Sequence, residues 1–462
     1  MKKLLFILLI PFSALAQNEH AEKIAQFMRG ENQFFRFNGN VLVAENGKVI
    51  YQEALGLANY SNQIKLDSNT AFELASISKQ FTAMGIMICK ERGLISYNDR
   101  VIKFFPMFPY DNITIRQLLT HTSGLPEYED QFDKEWDKKQ IAYNKDVLSM
   151  LNRAHDTLFF PPGTKWKYSN TGYVVLASII EKVSGKSYAD FLKENIFKPL
   201  GMTHTFSYNK RRVTHKIPDN YALGYVYADS VHRYILPDSL PKYDYVIYLD
   251  GIVGDGTVNS TTGDLFIWDR ALNGNKLVSK ASLDEMLSPL VQMSPRDSTN
   301  FYGFGVMVQK SDQGKIISHS GGWPGYITFM SRNVDSNTAI IILSNNESSA
   351  PNMNAAINNI LSNEPVNMPY EHKRIAMDSS LLDRYVGKYN AFLTITLVKK
   401  DGKLFRQRPG TPGIELIPES KTKFFYGDGT DRQIEFEFGA DGKVTRAWFL
   451  NTGQKGEFKK IQ

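Results

Sequence analysis

Apolar and polar residues alternate through FNGNVLVAENGKVIYQEALG (37–56), and Asn46-Gly47 sits at the centre of that stretch. This pattern predicts two antiparallel strands joined by a tight turn. A short helical lead, AEKIAQFMRG, precedes them. From Ala75 to about Lys280 the period changes, and apolar residues recur at helical spacing in KQFTAMGIMICKERG, TIRQLLTH, GYVVLASIIEKVSG and YADFLKENIF. Thr261 and Asp264 have the spacing of a capping box and predict another helix at TTGDLFIWDRAL. Alternation then returns in YGFGVMVQK, GKIISHSG, GYITFMSR and TAIIILSN. Two early strands, a helical insert and a group of late strands predict an α+β domain. One antiparallel sheet is flanked by helices, a helical subdomain packs beside it, and a cleft lies between the two.

NEPVNMPYEHKRIAMD breaks the pattern with two prolines and scattered charge, so a linker is expected at 363–376. Beyond it, Asp401-Gly402 and Asp441-Gly442 fall between alternating runs, which predicts a separate small all-β domain at 377–462. At the other end, MKKLLFILLIPFSALAQ has two lysines, a short apolar run and Ala14-Leu15-Ala16. That is the form of an export signal over 1–16, cleaved near Ala16/Gln17. The expectation is a periplasmic or secreted protein with no stable membrane span, its main domain covering 17–362.

Composition narrows the chemistry. Of 462 residues, 42% are hydrophobic and 22% charged, enough for a sizeable core and more than one domain. Losing the two leader lysines takes the formal charge from +6 to +4, with both signs interspersed, which argues against nucleic acid as a partner. The single cysteine, Cys89, excludes a disulfide framework and a thiolate metal cluster, and its apolar setting makes it a core residue. No HExxH, Walker or EF-hand pattern is present, and the glycines of GIVGDGTVNS do not fit a dinucleotide fingerprint. No metal or cofactor is expected.

Ser76 and Lys79 in ELASISKQFTAMGI lie one helical turn apart on one face. A lysine whose pKa is lowered by its surroundings can take the proton from a serine hydroxyl, and a helix start adds backbone amides for a developing oxyanion. The same spacing recurs at Ser207/Lys210, Ser239/Lys242 and Ser420/Lys423, but only Ser76 opens a long apolar helix. In PPGTKWKYSNTGY, Tyr168 and Asn170 precede a predicted helix; a phenol near an ammonium can serve as base, and an amide can orient the lysine or a substrate. Tyr60-Ser61-Asn62 repeats the tripeptide in an expected connecting loop. His319-Ser320-Gly321-Gly322 ends a predicted strand, where the glycines would let a substrate approach the backbone. Adjacent residues on a strand face opposite ways, so His319 is not the base of Ser320. His121, Thr122 and Ser123 read as a helix end and turn, and Trp323 as either a cleft wall or a core aromatic.

Nucleophile helix, tyrosine loop and glycine-ended strand, in this order, resemble the penicillin-recognising serine hydrolases. The branch is that of class C β-lactamases, D-alanyl-D-alanine carboxypeptidases, D-aminopeptidases and related esterases. The likeness spans about residues 20–362 and includes TIRQLLTHTSGLP and DGIVGDGTVNSTTGDL; the tail from Leu381 resembles a small lipocalin-like β-barrel. The resemblance implies a β-lactamase/transpeptidase-like fold, with Ser76 as acylated nucleophile and Lys79 and Tyr168 as the proton-transfer pair. It implies that Asn170, His319, Ser320, Gly321 and Gly322 meet the substrate, and that the amides of Ser76 and Gly322 form the oxyanion hole. Many relatives have Lys-Thr where this chain has His319-Ser320. Histidine is charged only near or below a pKa of about 6.5, so His319 is expected to set the substrate class. A peptide, D-amino-acid amide or ester substrate is expected. The alternatives are a β-lactam substrate and a silent protein that binds an envelope ligand.

Overall fold

The computed structural model describes residues 12–35, 37–154, 157–228, 230–391, 394–407 and 413–461. Residues 1–11 of the expected leader lie outside these, and among the described residues no helix is long and apolar enough to cross a membrane. The chain forms two compact units, one of residues 38–350 and one combining 351–462 with the residues before 38.

In the first unit, Asn46 and Gly47 take positive φ (52° and 76°) and turn strand Gly39–Glu45 back into Lys48–Leu55. An L-residue pair with positive φ matches the twist of a hairpin, which is why Asn-Gly serves here. The first strand then pairs with the last, Thr338–Ser344, with Gly39 opposite Ser344 and Ala44 opposite Ala339. The result is an eight-stranded antiparallel sheet whose order begins with Val291–Ser294, Asp297–Tyr302, Met307–Ser311 and Gly314–Trp323. Tyr326–Asn333, Thr338–Ser344 and the early hairpin complete it. Thr338–Ser344 is buried at every position, the reason its sequence is a continuous run of isoleucine and leucine with no alternation. The expected strand YGFGVMVQK is split: Tyr302 ends one strand and Met307 starts the next. Two strands before it, at 291–302, were not expected.

The helical insert follows its periodicity. Helix Lys79–Glu91 is buried from Lys79 through Cys89 and packs on helix Asn170–Ser184, itself buried from Thr171 through Ile180. Side chains such as Ile86 and Ile179, fully buried, each contribute about 1.5–3 kcal/mol of hydrophobic stabilisation. Cys89 is fully buried, and burial pushes its thiol up to about 11. Helix Thr262–Ala271 starts as expected, with the Thr261 side chain accepting from the Asp264 amide. Asp264 does not complete a capping box, because its carboxylate accepts instead from the His204 amide and the Thr205 hydroxyl.

The second unit contains a closed barrel of eight antiparallel strands, Gly387–Asn390 to Gln454–Lys460, sealed by Tyr389 opposite Lys460. Residues 364–378 form neither helix nor strand. The lead helix, Phe12–Phe35, groups with this unit, whereas the sequence placed 17–35 with the main domain. Its contacts explain why. A side chain added at Gly453 of the barrel would strike both Phe27 of the lead helix and Ala356 of helix Ala350–Leu361, and His20 reaches Asn363 at 3.4 Å.

Candidate active site

Ser76 sits in a single 3-10 turn, Ala75–Ser78, which runs directly into helix Lys79–Glu91. The turn is held from both sides. Leu74 donates its amide to the Val258 carbonyl (2.9 Å) and accepts the Thr328 hydroxyl on its own carbonyl (2.8 Å), and Ser78 Oγ accepts from the Val258 amide (3.0 Å). Ala75, just before the serine, has φ +47°, a conformation disfavoured for any residue with a Cβ.

Lys79 is fully buried, and its Nζ contacts Ser76 Oγ at 3.0 Å, Asn170 Oδ1 at 2.8 Å and the Asp255 carbonyl at 2.8 Å. Two of these partners can only accept. They fix the Lys79 nitrogen beside the serine hydroxyl. Asn170 begins helix Asn170–Ser184. Ser169 caps that helix by accepting from the Gly172 amide, so the central serine of Tyr-Ser-Asn is structural. The Tyr168 ring lies 4.8 Å from Lys79 Nζ, and its hydroxyl is buried with no hydrogen-bond partner among the described residues.

The third segment departs from expectation. His319 is 2% exposed, with Nε2 3.0 Å from the Tyr302 hydroxyl and its ring in an aromatic cluster with Tyr168 and Tyr302. Burial, with the Lys79 ammonium second, pushes it down to about 3, so it carries no charge at neutral pH. Neither His319 nor Ser320 lines the cavity beside Ser76. Gly321 does not line it either: a Cβ there would lie 2.1 Å from the Leu74 carbonyl oxygen. This glycine admits the Leu74 carbonyl just before the Ser76 turn. Gly322 does line the cavity, as do Ser76, Asn170 and Trp323.

A family model described as "Beta-lactamase" matches residues 30–363, and one described as "Domain of unknown function (DUF3471)" matches 371–460. This chain belongs to the beta-lactamase family. It is 42% identical to "Penicillin-binding protein 4*" of Bacillus subtilis (strain 168), over 92% of this chain and 95% of that one. A penicillin binding protein from Bacillus halodurans has 26% identity and a TM-score of 0.64, covering 72% of this chain and 98% of that one. D-amino acid amidase from Ochrobactrum anthropi SV3, in complex with L-phenylalanine amide, shares the fold at 24% identity and TM-score 0.55, covering 73% and 92%. The chain is a serine hydrolase of this family.

Around the family's three motifs stand residues that sequence reasoning passed over. His121, at φ +58° and fully buried, accepts the Ser169 amide on Nδ1 (3.1 Å) and packs its ring 4.4 Å from Tyr168. It holds the tyrosine loop and is no partner for Ser123. Glu127 accepts the Asn170 amide (2.9 Å), and Glu129 accepts from Asn170 Nδ2 (2.7 Å), which turns Asn170 Oδ1 towards Lys79. Asp255 accepts the Tyr128 hydroxyl (2.9 Å) while its carbonyl holds Lys79. Burial first, then the Asp255 and Glu127 charges, push the Glu129 carboxyl up to about 8. The acidic run EYED after THTSGLP, and the aspartate among the glycines of GIVGDGTVNS, were the available signals.

Proposed function

We propose that this hydrolase cleaves an amide or ester through an acyl-enzyme on Ser76. The observation that carries this reading is the buried Lys79 amine, 3.0 Å from Ser76 Oγ and oriented by two acceptors. In the first step the Ser76 hydroxyl proton passes to neutral Lys79 as Oγ bonds to the substrate carbonyl carbon. The oxyanion is met by the backbone amides of Ser76 and Gly322, both residues of the same cavity. The C–N or C–O bond then breaks, the leaving group takes the Tyr168 hydroxyl proton, and Lys79 restores that proton to Tyr168. Water attacks the ester, gives a proton to Lys79, and the acid leaves as Ser76 recovers its hydrogen.

Peptides, amino-acid amides and esters fit this cleft better than β-lactams bearing a carboxylate, because no Lys, Arg or His lines it among the described residues. The leader pattern supports export with cleavage near Ala16/Gln17, which N-terminal sequencing of the mature protein checks. Turnover of a D-Ala-D-Ala peptide, an amino-acid anilide, a nitrophenyl ester and a chromogenic cephalosporin separates the substrate classes. Tyr168→Phe should lower amide hydrolysis about 100-fold and ester hydrolysis much less, since an amine leaving group needs a proton and nitrophenolate does not. Equal losses on both substrates would remove Tyr168 from that role.

A further inference from the structure

Three buried polar atoms in one cluster of packed rings have no hydrogen-bond partner among the described residues: His121 Nε2, Trp166 Nε1 and Tyr168 Oη. The His121 ring lies 4.4 Å from that of Tyr168 and 6.1 Å from that of Trp166. The other two hydroxyls packed on His121 are committed. Tyr173 donates to the Leu119 carbonyl at 2.8 Å, and Tyr302 pairs with His319 Nε2 at 3.0 Å. Buried polar groups are rarely left unpaired, because the lost contact with water is not made good. The tautomer of His121 follows from its backbone contact. Nδ1 accepts the Ser169 amide at 3.1 Å, so the neutral ring carries its hydrogen on Nε2. Burial first, then Lys79 and His319, hold the imidazole well below its ordinary value, and it is uncharged at neutral pH. An N–H without an acceptor therefore stands against a phenol oxygen with free lone pairs. Local preference does not ask for histidine here. His121 has φ +58° just beyond helix Ile115–Leu119, where glycine or asparagine is the usual residue, and an asparagine oxygen also accepts an amide. What the imidazole adds is its ring and the second nitrogen.

We propose that His121 is a positioning residue for Tyr168, its Nε2–H closing on the tyrosine oxygen as that oxygen gives its proton to the leaving group. This deepens the hydrolase reading above and rests on it for the identity of the proton donor. Before reaction the phenol oxygen is a weak acceptor, and the contact is unmade. As the leaving-group nitrogen takes the hydroxyl hydrogen, negative charge collects on the phenol oxygen, and a hydrogen bond to an ionised acceptor is about twice as strong as one to a neutral acceptor. His121 keeps its own hydrogen throughout, and the contact loosens again when Lys79 returns a proton to Tyr168. An interaction made only as charge develops lowers the barrier without tightening substrate binding, so it acts on kcat and leaves KM alone. Its effect scales with the need for a proton, large for amides and small for nitrophenyl esters.

Isosteres separate the two nitrogens. Asparagine sets its amide near the place of Nδ1 and keeps an acceptor for Ser169, whereas glutamine reaches the place of Nε2. In the full chain, His121→Asn should lower kcat on an amino-acid anilide about tenfold or more, leave KM within about twofold, and change nitrophenyl ester hydrolysis by less than about threefold. His121→Gln should recover most of the anilide rate. In the Tyr168→Phe background His121→Asn should cost nothing further, since the acceptor is gone. Trp166→Phe should leave the anilide-to-ester ratio unchanged. Equal losses on both substrates in His121→Asn, a loss confined to KM, an additive double variant, or a selective loss in Trp166→Phe matching that of His121→Asn would each overturn the proposal. Should His121→Asn not fold, nitrogen-15 NMR of the wild-type histidines decides: the proposal requires a neutral His121 with hydrogen on Nε2, and hydrogen on Nδ1 or an imidazolium sinks it. Tyr168→Phe without an amide-selective loss overturns the acid role of Tyr168 itself, whereas a selective loss there with none in His121→Asn overturns this proposal alone.

Discussion

In the C-terminal barrel every strand pairs with the next one along the chain, and its interior is apolar and aromatic, with Tyr389, Phe424, Tyr426 and Phe436 each no more than 2% exposed. The cleft of the first unit is assembled the other way. Ser76, Asn170, Asp255 and Gly322 come from four distant segments, and behind them Lys79 and His121 are fully buried. Backbone strain follows the same division: Ala75, Thr257 and Glu347, at φ of 47°, 76° and 63°, all line the cleft. In the barrel, positive φ falls at hairpin turns such as Asp401-Gly402, where aspartate and glycine make it locally favourable. A region whose strands pair in chain order can agree with most of its local preferences. A region that has to react keeps unfavourable local choices in place with contacts made far along the chain.

The largest effect that would break this contrast is at Lys79. Lys79→Met should reduce kcat/KM by about 10³-fold or more on amide and ester alike, measured by steady-state kinetics, because among the described residues no other basic group contacts Ser76 Oγ. In the barrel the largest effect is on stability. Phe436→Ala empties an aromatic core position and should cost about 3–5 kcal/mol, read by denaturant unfolding followed through Trp448. Gly321→Ala should cost about 1–3 kcal/mol and lower activity together with it, since the new Cβ pushes strand Gly314–Trp323 off the nucleophile turn. Gly322→Ala, with nothing nearer than 3.9 Å at its Cβ, should leave thermal stability unchanged. Equal melting shifts in the two variants would contradict the packing role given to Gly321.

The smallest effect is a difference in pH dependence. Glu129 is raised in the fold from the ordinary carboxyl value to about 8, and Asp431 of the second unit, mainly by burial, to about 6, with Glu31 raised beside it. Carboxyls with raised folded values bind more protons folded than unfolded. Their stabilisation is therefore complete below about pH 4 and is lost as pH rises through the folded value. Unfolding monitored at Trp448 should lose its pH dependence from Asp431 above about pH 6, whereas the loss from Glu129 in the first unit should continue to about pH 8. A stability that rises with pH through these windows would show that other groups dominate.

Much of this architecture can be read in the residues themselves. Asn46-Gly47 and Asp401-Gly402 announce their hairpins because turn chemistry is local, and the helix at Lys79–Glu91 follows from a pattern that repeats within a few turns. Ser76, Lys79 and Asn170 were legible for a similar reason: short spacings bring chemical groups together on one helix or at one helix start. The burial of His319 against Tyr302 was not legible, because strand alternation tells which residues share a face and not which face meets the cleft. The close approach at Gly321 was not legible either, because a demand for a missing side chain looks the same whether a substrate or the Leu74 carbonyl fills the space. The neighbour of the lead helix was not legible, because amphipathic periodicity specifies an apolar stripe without naming the surface that covers it.

The residues by themselves thus determined the elements and the closeness of Ser76 to Lys79, since each rests on interactions within a few positions. Only the tertiary structure decided that Glu127, Glu129 and Asp255 surround Asn170 and Lys79, and that His319 stands uncharged behind Tyr168. Electrostatic character depends on burial and on the sum of neighbours in space, and neither is a property of any short stretch of chain.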